Sequence, residues 1–168
     1  MALAGRASAL LLPLALGLDV PPALAARLEG TVVRVVDGDT IHVKVGERVE
    51  KVRYIGVNTP EVHHPTKGEE PGGREAACVN RDLVAGRQVR LELDAQTHDR
   101  YGRVLAYVWV DGAMINAELV RLGYAQVMTI PPNVRHQALF LRLQREARAA
   151  ERGLWGRAPA LTEGRACK

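Results

Sequence analysis

The sequence predicts an α+β domain of five β-strands and three α-helices whose sheet closes into a small barrel. Two observations carry this: three β-rich runs follow one another before any helical segment, and the later strands and helices show no βαβ alternation of the kind a parallel sheet requires. A chain of 168 residues with 47% hydrophobic and 25% charged residues suffices for one buried core.

The elements follow in order. Thr31 to Val36 is β-branched, Ile41, Val43 and Val45 alternate with His42 and Lys44, and Arg48 to Val57 is again β-rich. Asp37-Gly38 and Gly46-Glu47 are the turns between them. Residues 58–73 hold three prolines and three glycines, too many for a regular element, and predict a long loop. A helix follows from about Arg74 to Ala85, with Gly86 as its stop. In the next strand Val89, Leu91 and Leu93 face one way and Arg90, Glu92 and Asp94 the other. A polar turn, His98 to Gly102, leads into Val104–Val110, which is apolar on both faces and therefore central. Ile115, Leu119 and Leu122 before Gly123, and Leu139, Leu143 and Ala147 before Gly153, carry helical spacing. Leu154 and Trp155 should pack the end of the last helix down. Its row of Arg142, Arg145, Arg148 and Arg152 reads as a solvated face.

Three segments follow along the chain. Residues 1–26 read as an export signal: Arg6, an apolar core to Leu18, and Ala23-Leu-Ala25 as a small-x-small cleavage pattern. Pro13, Gly17, Asp19 and Pro21-Pro22 argue against a buried helix there, and an uncleaved anchor is the rival. Arg6 and Asp19 cancel, so the net charge of +4 belongs to the folded domain, residues 27–156, and to a polar tail, 157–168. Two cysteines exclude a disulfide-rich scaffold and a four-cysteine zinc site. Export would allow Cys78 and Cys167 to pair, but the position of Cys167 in the tail favours one core thiol and one tail thiol. The basic excess points to an anionic partner, and at +4 decides nothing alone.

Three clusters could carry chemistry. In Asp37-Gly-Asp-Thr40 the turn needs Asp37 and Gly38, whereas Asp39 lies beyond it at a strand start, where carboxylates are disfavoured. In Arg53-Tyr-Ile-Gly-Val-Asn-Thr-Pro-Glu61 an arginine interrupts an apolar strand, and Asn58, Thr59 and Glu61 flank the rigid Pro60. In Asp99-Arg-Tyr-Gly-Arg103 an arginine borders the central strand. Two arginines, an acid to hold a cation and an acid to act as a base form a set suited to phosphodiester cleavage, because phosphoryl chemistry needs cationic groups around phosphate oxygens and a positioned water. His42, His63, His64, His98 and His136 lack zinc-site spacing and read as surface residues.

Taken in order, Asp-Gly-Asp-Thr, Arg with Asn-Thr-Pro-Glu, and Asp-Arg-Tyr-Gly-Arg resemble the staphylococcal nuclease family, together with Leu119-Val-Arg-Leu-Gly-Tyr-Ala125 and Gly153-Leu-Trp155. The resemblance covers about Gly30 to Trp155. It implies a five-stranded OB-type β-barrel with three α-helices, and a calcium-dependent nuclease, exported and monomeric, acting on single-stranded DNA and RNA and leaving 3′-phosphate ends. It implies Asp39, Asn58 and the Thr59 carbonyl as Ca2+ ligands. Arg53 and Arg103 would be the phosphate-binding catalytic arginines, Glu61 the general base, and Arg100 and Tyr101 terminal-phosphate contacts. Two departures stand out. The family's best-known member has Asp where Asn58 stands, so the site carries one negative charge fewer while keeping an oxygen that calcium accepts. Where that member places base-stacking tyrosines, this chain reads Ala125-Gln-Val-Met-Thr-Ile-Pro131. Barrels of this kind that only bind nucleic acid are the alternative class; a lipid- or polysaccharide-binding barrel would have no use for Arg53, Glu61 and Arg103 together.

Overall fold

The structure, a computed structural model, describes residues 27–62 and 68–156; the N-terminal segment, His63, His64, the tail and Cys167 lie outside them. Strands β1 (Arg27–Val35), β2 (Thr40–Val45) and β3 (Arg48–Tyr54) form an antiparallel meander. The predicted run Arg48–Val57 divides at this point. The chain turns at Ile55-Gly56 and starts a separate short strand, β4 (Val57–Asn58). Gly56 makes that turn with φ of 78°, and a β-carbon there would lie 2.6 Å from the Phe140 ring, so both conformation and space demand glycine.

Helix α1 (Gly73–Val84) leads into β5 (Gln88–Glu92), which pairs antiparallel with the free edge of β1. Strand β6 (Val104–Val110) pairs antiparallel with β5 and, at its start, parallel with β3, in the register Val52 to Val104, Arg53 to Leu105 and Tyr54 to Ala106. That last pairing closes β1, β2, β3, β5 and β6 into a five-stranded barrel, as the OB-type reading expects. A short strand β7 (Ala113–Met114), helix α2 (Ile115–Arg121), strand β8 (Gln126–Val127), helix α3 (Gln137–Ala149) and a 3₁₀ turn at Gly153–Trp155 complete the domain. β8 pairs with β4, Asn58 opposite Gln126.

The barrel interior follows strand alternation. Ile41, Val43, Val52, Leu91 and Val108 are fully buried, each burial contributing about 1.5–3 kcal/mol. β6 is central, as its two apolar faces predict: it is flanked by β5 on one side and by β3 and β7 on the other. Asn116 of α2 ties the barrel to the Ile55 turn, accepting from the Val108 amide and donating to the Ile55 carbonyl, both at 2.9 Å.

Two expectations are corrected. Cys78 is disulfide-bonded, where a core thiol was expected. His136 is half-buried, where a surface residue was expected: its ring lies edge-on to Tyr107, 4.4 Å between centroids, and its Nε2 is 3.2 Å from Glu92. The isolated position of His136 in the sequence hid a partner 44 residues earlier, at the end of β5.

Candidate active site

The β2–β3 register and the fold-back of residues 57–59 bring four of the sequence-predicted site residues into direct contact. Asp39 immediately precedes β2, where its backbone carbonyl accepts from the Tyr54 amide at 2.9 Å and thereby fixes it beside the end of β3. Its Oδ2 accepts from the Thr59 amide at 2.8 Å and lies 3.0 Å from Arg53 Nη2, while its Oδ1 accepts from the Thr40 hydroxyl at 3.1 Å. The same Arg53 Nη2 donates to Asn58 Oδ1 at 3.0 Å. One nitrogen therefore marks a point on which the Asp39 and Asn58 oxygens converge.

Arg53 is buried and its fork is turned inward. Nη1 donates to the carbonyls of Tyr54 and Val57 at 3.0 and 2.9 Å, so the guanidinium holds the chain from residue 54 to 58 in its turn. The strand pattern explains why an arginine is tolerated here: Val52 faces the core, so Arg53 has the opposite parity, and residues 57–59 fold back over it.

Burial pushes the Asp39 carboxyl up to about 7; the Arg53 charge opposes that rise, the neighbouring Asp37 carboxylate adds to it, and the bonds from Thr59 and Thr40 oppose it again. A buried carboxylate in this condition is short of positive charge. Among the described residues no group of three or more His, Cys, Asp or Glu side chains gathers in metal-binding geometry, so the donor set is one carboxylate, an amide oxygen and nearby backbone carbonyls. All of these are hard oxygen donors, which fit a divalent calcium- or magnesium-like cation that completes its shell with water and phosphate.

Arg103 reaches the same side of the barrel. Because Arg53 is aligned with Leu105, Arg103, two residues earlier, falls by alternation on the face that bears Arg53. Asp99 holds it: Oδ2 accepts from Arg103 Nε at 2.6 Å, and Oδ1 accepts from the amides of Tyr101 and Arg103. The Arg103 side chain is 30% exposed against 11% for Arg53, so it is the more accessible of the two. Arg100 and Tyr101 stand with it. Tyr101 is 69% exposed, Arg100 lies 4.8 Å and Arg103 5.6 Å from its ring centroid, and Arg100 Nη2 donates to the tyrosine oxygen.

Glu61 is half-buried and positioned through its backbone. Its amide donates to Glu70 Oε2 at 3.0 Å and its carbonyl accepts from the Glu70 amide at 2.9 Å, clasping the two ends of the 58–73 loop.

With this geometry in place, the comparison with known proteins is specific. Residues 51–157 match the family model described as staphylococcal nuclease homologue. A thermonuclease of Staphylococcus intermedius is 39% identical over 126 residues, covering 75% of each chain. A thermonuclease of Staphylococcus hyicus is 39% identical over 124 residues, 74% of this chain and 73% of the relative. The chain belongs to the staphylococcal nuclease family. An uncharacterized endonuclease of Escherichia coli extends the likeness at 36% identity over 149 residues, 86% of this chain and 88% of that one.

Within this nuclease-family barrel, several residues shape the site without having been singled out in the sequence. Asp37, read as a turn residue, accepts the Asp39 amide on Oδ1 at 3.1 Å and adds a second acid beside Asp39. Gly38 between them has no room for a side chain, since a β-carbon would lie 2.7 Å from the Thr59 side chain. Asn80 of α1 is fully buried, donates to the Asp37 carbonyl and accepts from the Tyr54 hydroxyl, each at 2.9 Å. A signal for Asn80 existed: it falls in helical spacing with Ala76, Ala77 and Val84, an apolar stripe where a poor helix former has no propensity reason to be.

Proposed function

We propose that this chain is an exported, cation-dependent endonuclease that hydrolyses phosphodiester bonds of DNA and RNA. The observation that carries the reading is the convergence of Asp39 Oδ2 and Asn58 Oδ1 on one cation-filled point, with Arg103 on the same face, in a member of a nuclease family. Relatives named thermonuclease and endonuclease support the nuclease class. The export-signal pattern of residues 1–26 supports secretion or a periplasmic location.

Asp39, Asn58 and the Thr59 carbonyl would hold the cation, with calcium the proposed ion; when bound it polarises the scissile phosphate and offsets its charge. Glu61 orients a water for in-line attack on phosphorus and accepts its proton. Arg103, held through Nε by Asp99, directs its terminal nitrogens at the equatorial phosphate oxygens, where charge gathers in the transition state. Arg53 keeps Asn58 and the 54–58 turn in place beside that phosphate. Arg100 and Tyr101 contact a neighbouring phosphate. The bond to the 5′ oxygen breaks, leaving a 3′-phosphate end, and the protein acts as a monomer on single-stranded regions.

The test is direct. Incubate the purified chain with denatured DNA in calcium, and in parallel in chelator. Degradation in calcium alone supports the enzyme, and DNA retarded but intact under both conditions supports a binding module instead.

A further inference from the structure

The antiparallel register places two cations side by side on the outer face of β1–β3 with a histidine between them. Arg34 is opposite His42, and His42 is opposite Lys51, so the three lie in one row across three adjacent strands, about 10 Å from end to end. Their inward-facing neighbours Ile41, Val43 and Val52 are fully buried, which fixes the row on the outside. Lys44 stands one registered pair further along the same face, opposite Val49. Arg53 stands one pair the other way, about 7 Å along β3 from Lys51, on that face too.

The row is cationic in effect as well as in composition. Arg34, Lys44 and Lys51 are exposed, and among the described residues none of them is in an ion pair, whereas Arg53, Arg103 and Arg135 all are. The single acid of the β3 ladder, Glu50, lies opposite Val43 and so has inward parity. The His42 imidazole is held below its usual range by burial and by the charges of Arg34 and Lys51. Two apolar side chains border the row: Val33, left unpaired by a bulge between Val32 and Arg34 and 54% exposed, and Val49, 55% exposed.

We propose that this face is a track for the single strand leading away from the scissile phosphate, with Arg34 and Lys51 on its backbone and Val33 and Val49 under its bases. The proposal rests on the nuclease reading of the site, and extends it from one phosphate to a strand. Charge complementarity selects the occupant: an unpaired cationic row continuous with a phosphate-handling site fits a polyanion running along the strands, and apolar neighbours suit unstacked bases.

The experiment compares the full chain with an Arg34→Ala/Lys51→Ala variant and with an Arg142→Ala/Arg145→Ala variant that loses the same charge on α3. Binding of a labelled oligothymidylate of roughly 16 nucleotides is read by fluorescence anisotropy in chelator across a salt series. Turnover of that oligomer and of a thymidine dinucleotide is read in calcium. The track variant should bind the oligomer about tenfold more weakly and lower the slope of log affinity against log salt by about 1.4, at roughly 0.7 per lost contact. It should turn the dinucleotide over at the unaltered rate, and the α3 variant should match the parent throughout. An unchanged slope in the track variant, or equal losses in both variants, overturns the proposal. A parent that binds along the row but cleaves nothing in calcium refutes the nuclease reading and keeps the track. Cleavage without any dependence of oligomer affinity on Arg34 and Lys51 does the reverse.

Discussion

Replacing Asn80 by alanine tests whether the Asp37–Asp39 turn is held from behind by α1. The amide makes two hydrogen bonds inside the protein, donating Nδ2 to the Asp37 carbonyl and accepting the Tyr54 hydroxyl on Oδ1, both at 2.9 Å, and none of its surface reaches solvent. Truncation leaves a carbonyl and a hydroxyl buried without their partner, at about 1–3 kcal/mol each, so a loss of about 3 kcal/mol is expected. For a domain of this size that corresponds to a fall in Tm of about 10 °C. Urea unfolding followed by circular dichroism measures the loss, and a calcium titration of the melting temperature reports whether the Asp37–Asp39 turn has loosened. Tyr54→Phe and the double variant complete a cycle. Because the two side chains are bonded to each other, the double variant should lose less than the sum of the single ones by 0.5 kcal/mol or more, a coupling about as large as contacting pairs show. A loss for Asn80→Ala below about 1 kcal/mol, or strict additivity in the cycle, would refute the reasoning.

Three further outcomes are expected. Arg103→Ala should lower kcat by about 10²–10³ with the fold intact, as loss of a preorganised donor to transition-state charge does; unchanged turnover would remove Arg103 from the chemistry. In chelator, the raised Asp39 pKa means the folded state holds its proton more tightly than the unfolded chain, so the stability contributed by this group is present below about pH 4 and is lost as pH rises through about 7. Added calcium should restore stability at and above neutrality, and Asp39→Asn should abolish both effects in melts run across this range. Asn58→Asp should raise apparent calcium affinity by about tenfold or more, equivalent to about 1.4 kcal/mol, because it adds a charge to an oxygen already aimed at the Asp39 point. A calcium titration of activity reads this, and a weaker dependence would place the cation elsewhere.

Much of the site was legible because phosphodiester chemistry requires residue types that local structure disfavours. Asp39 at a strand start and Arg53 inside an apolar strand are out of place by propensity, and both proved to be buried and bonded to each other. Residues whose role is to hold others were less legible. Asp37 and Gly38 are explained well enough by a hairpin turn, and Asp99 by a polar loop, so nothing in the linear chain distinguishes them from ordinary turn residues. Their second function exists only once Asn80 and Thr59 are packed against the Asp37-Gly38 turn and the 99–103 loop folds Arg103 back onto Asp99.

Sequence alone determined the five barrel strands and the three helices, though not the two-residue strands β4, β7 and β8, because strand alternation, helical spacing and Gly or Pro breaks are local properties set by backbone sterics and the apolar pattern. It also determined which side chains were chemically costly enough to need a purpose. The parallel pairing of β3 with β6, which closes the barrel and puts Arg103 on the face of Arg53, was decided by the tertiary structure, as was the inward turn of the Arg53 fork. So was the outer row of Arg34, His42 and Lys51, since strand register depends on which faces can be buried together and no single strand carries that information.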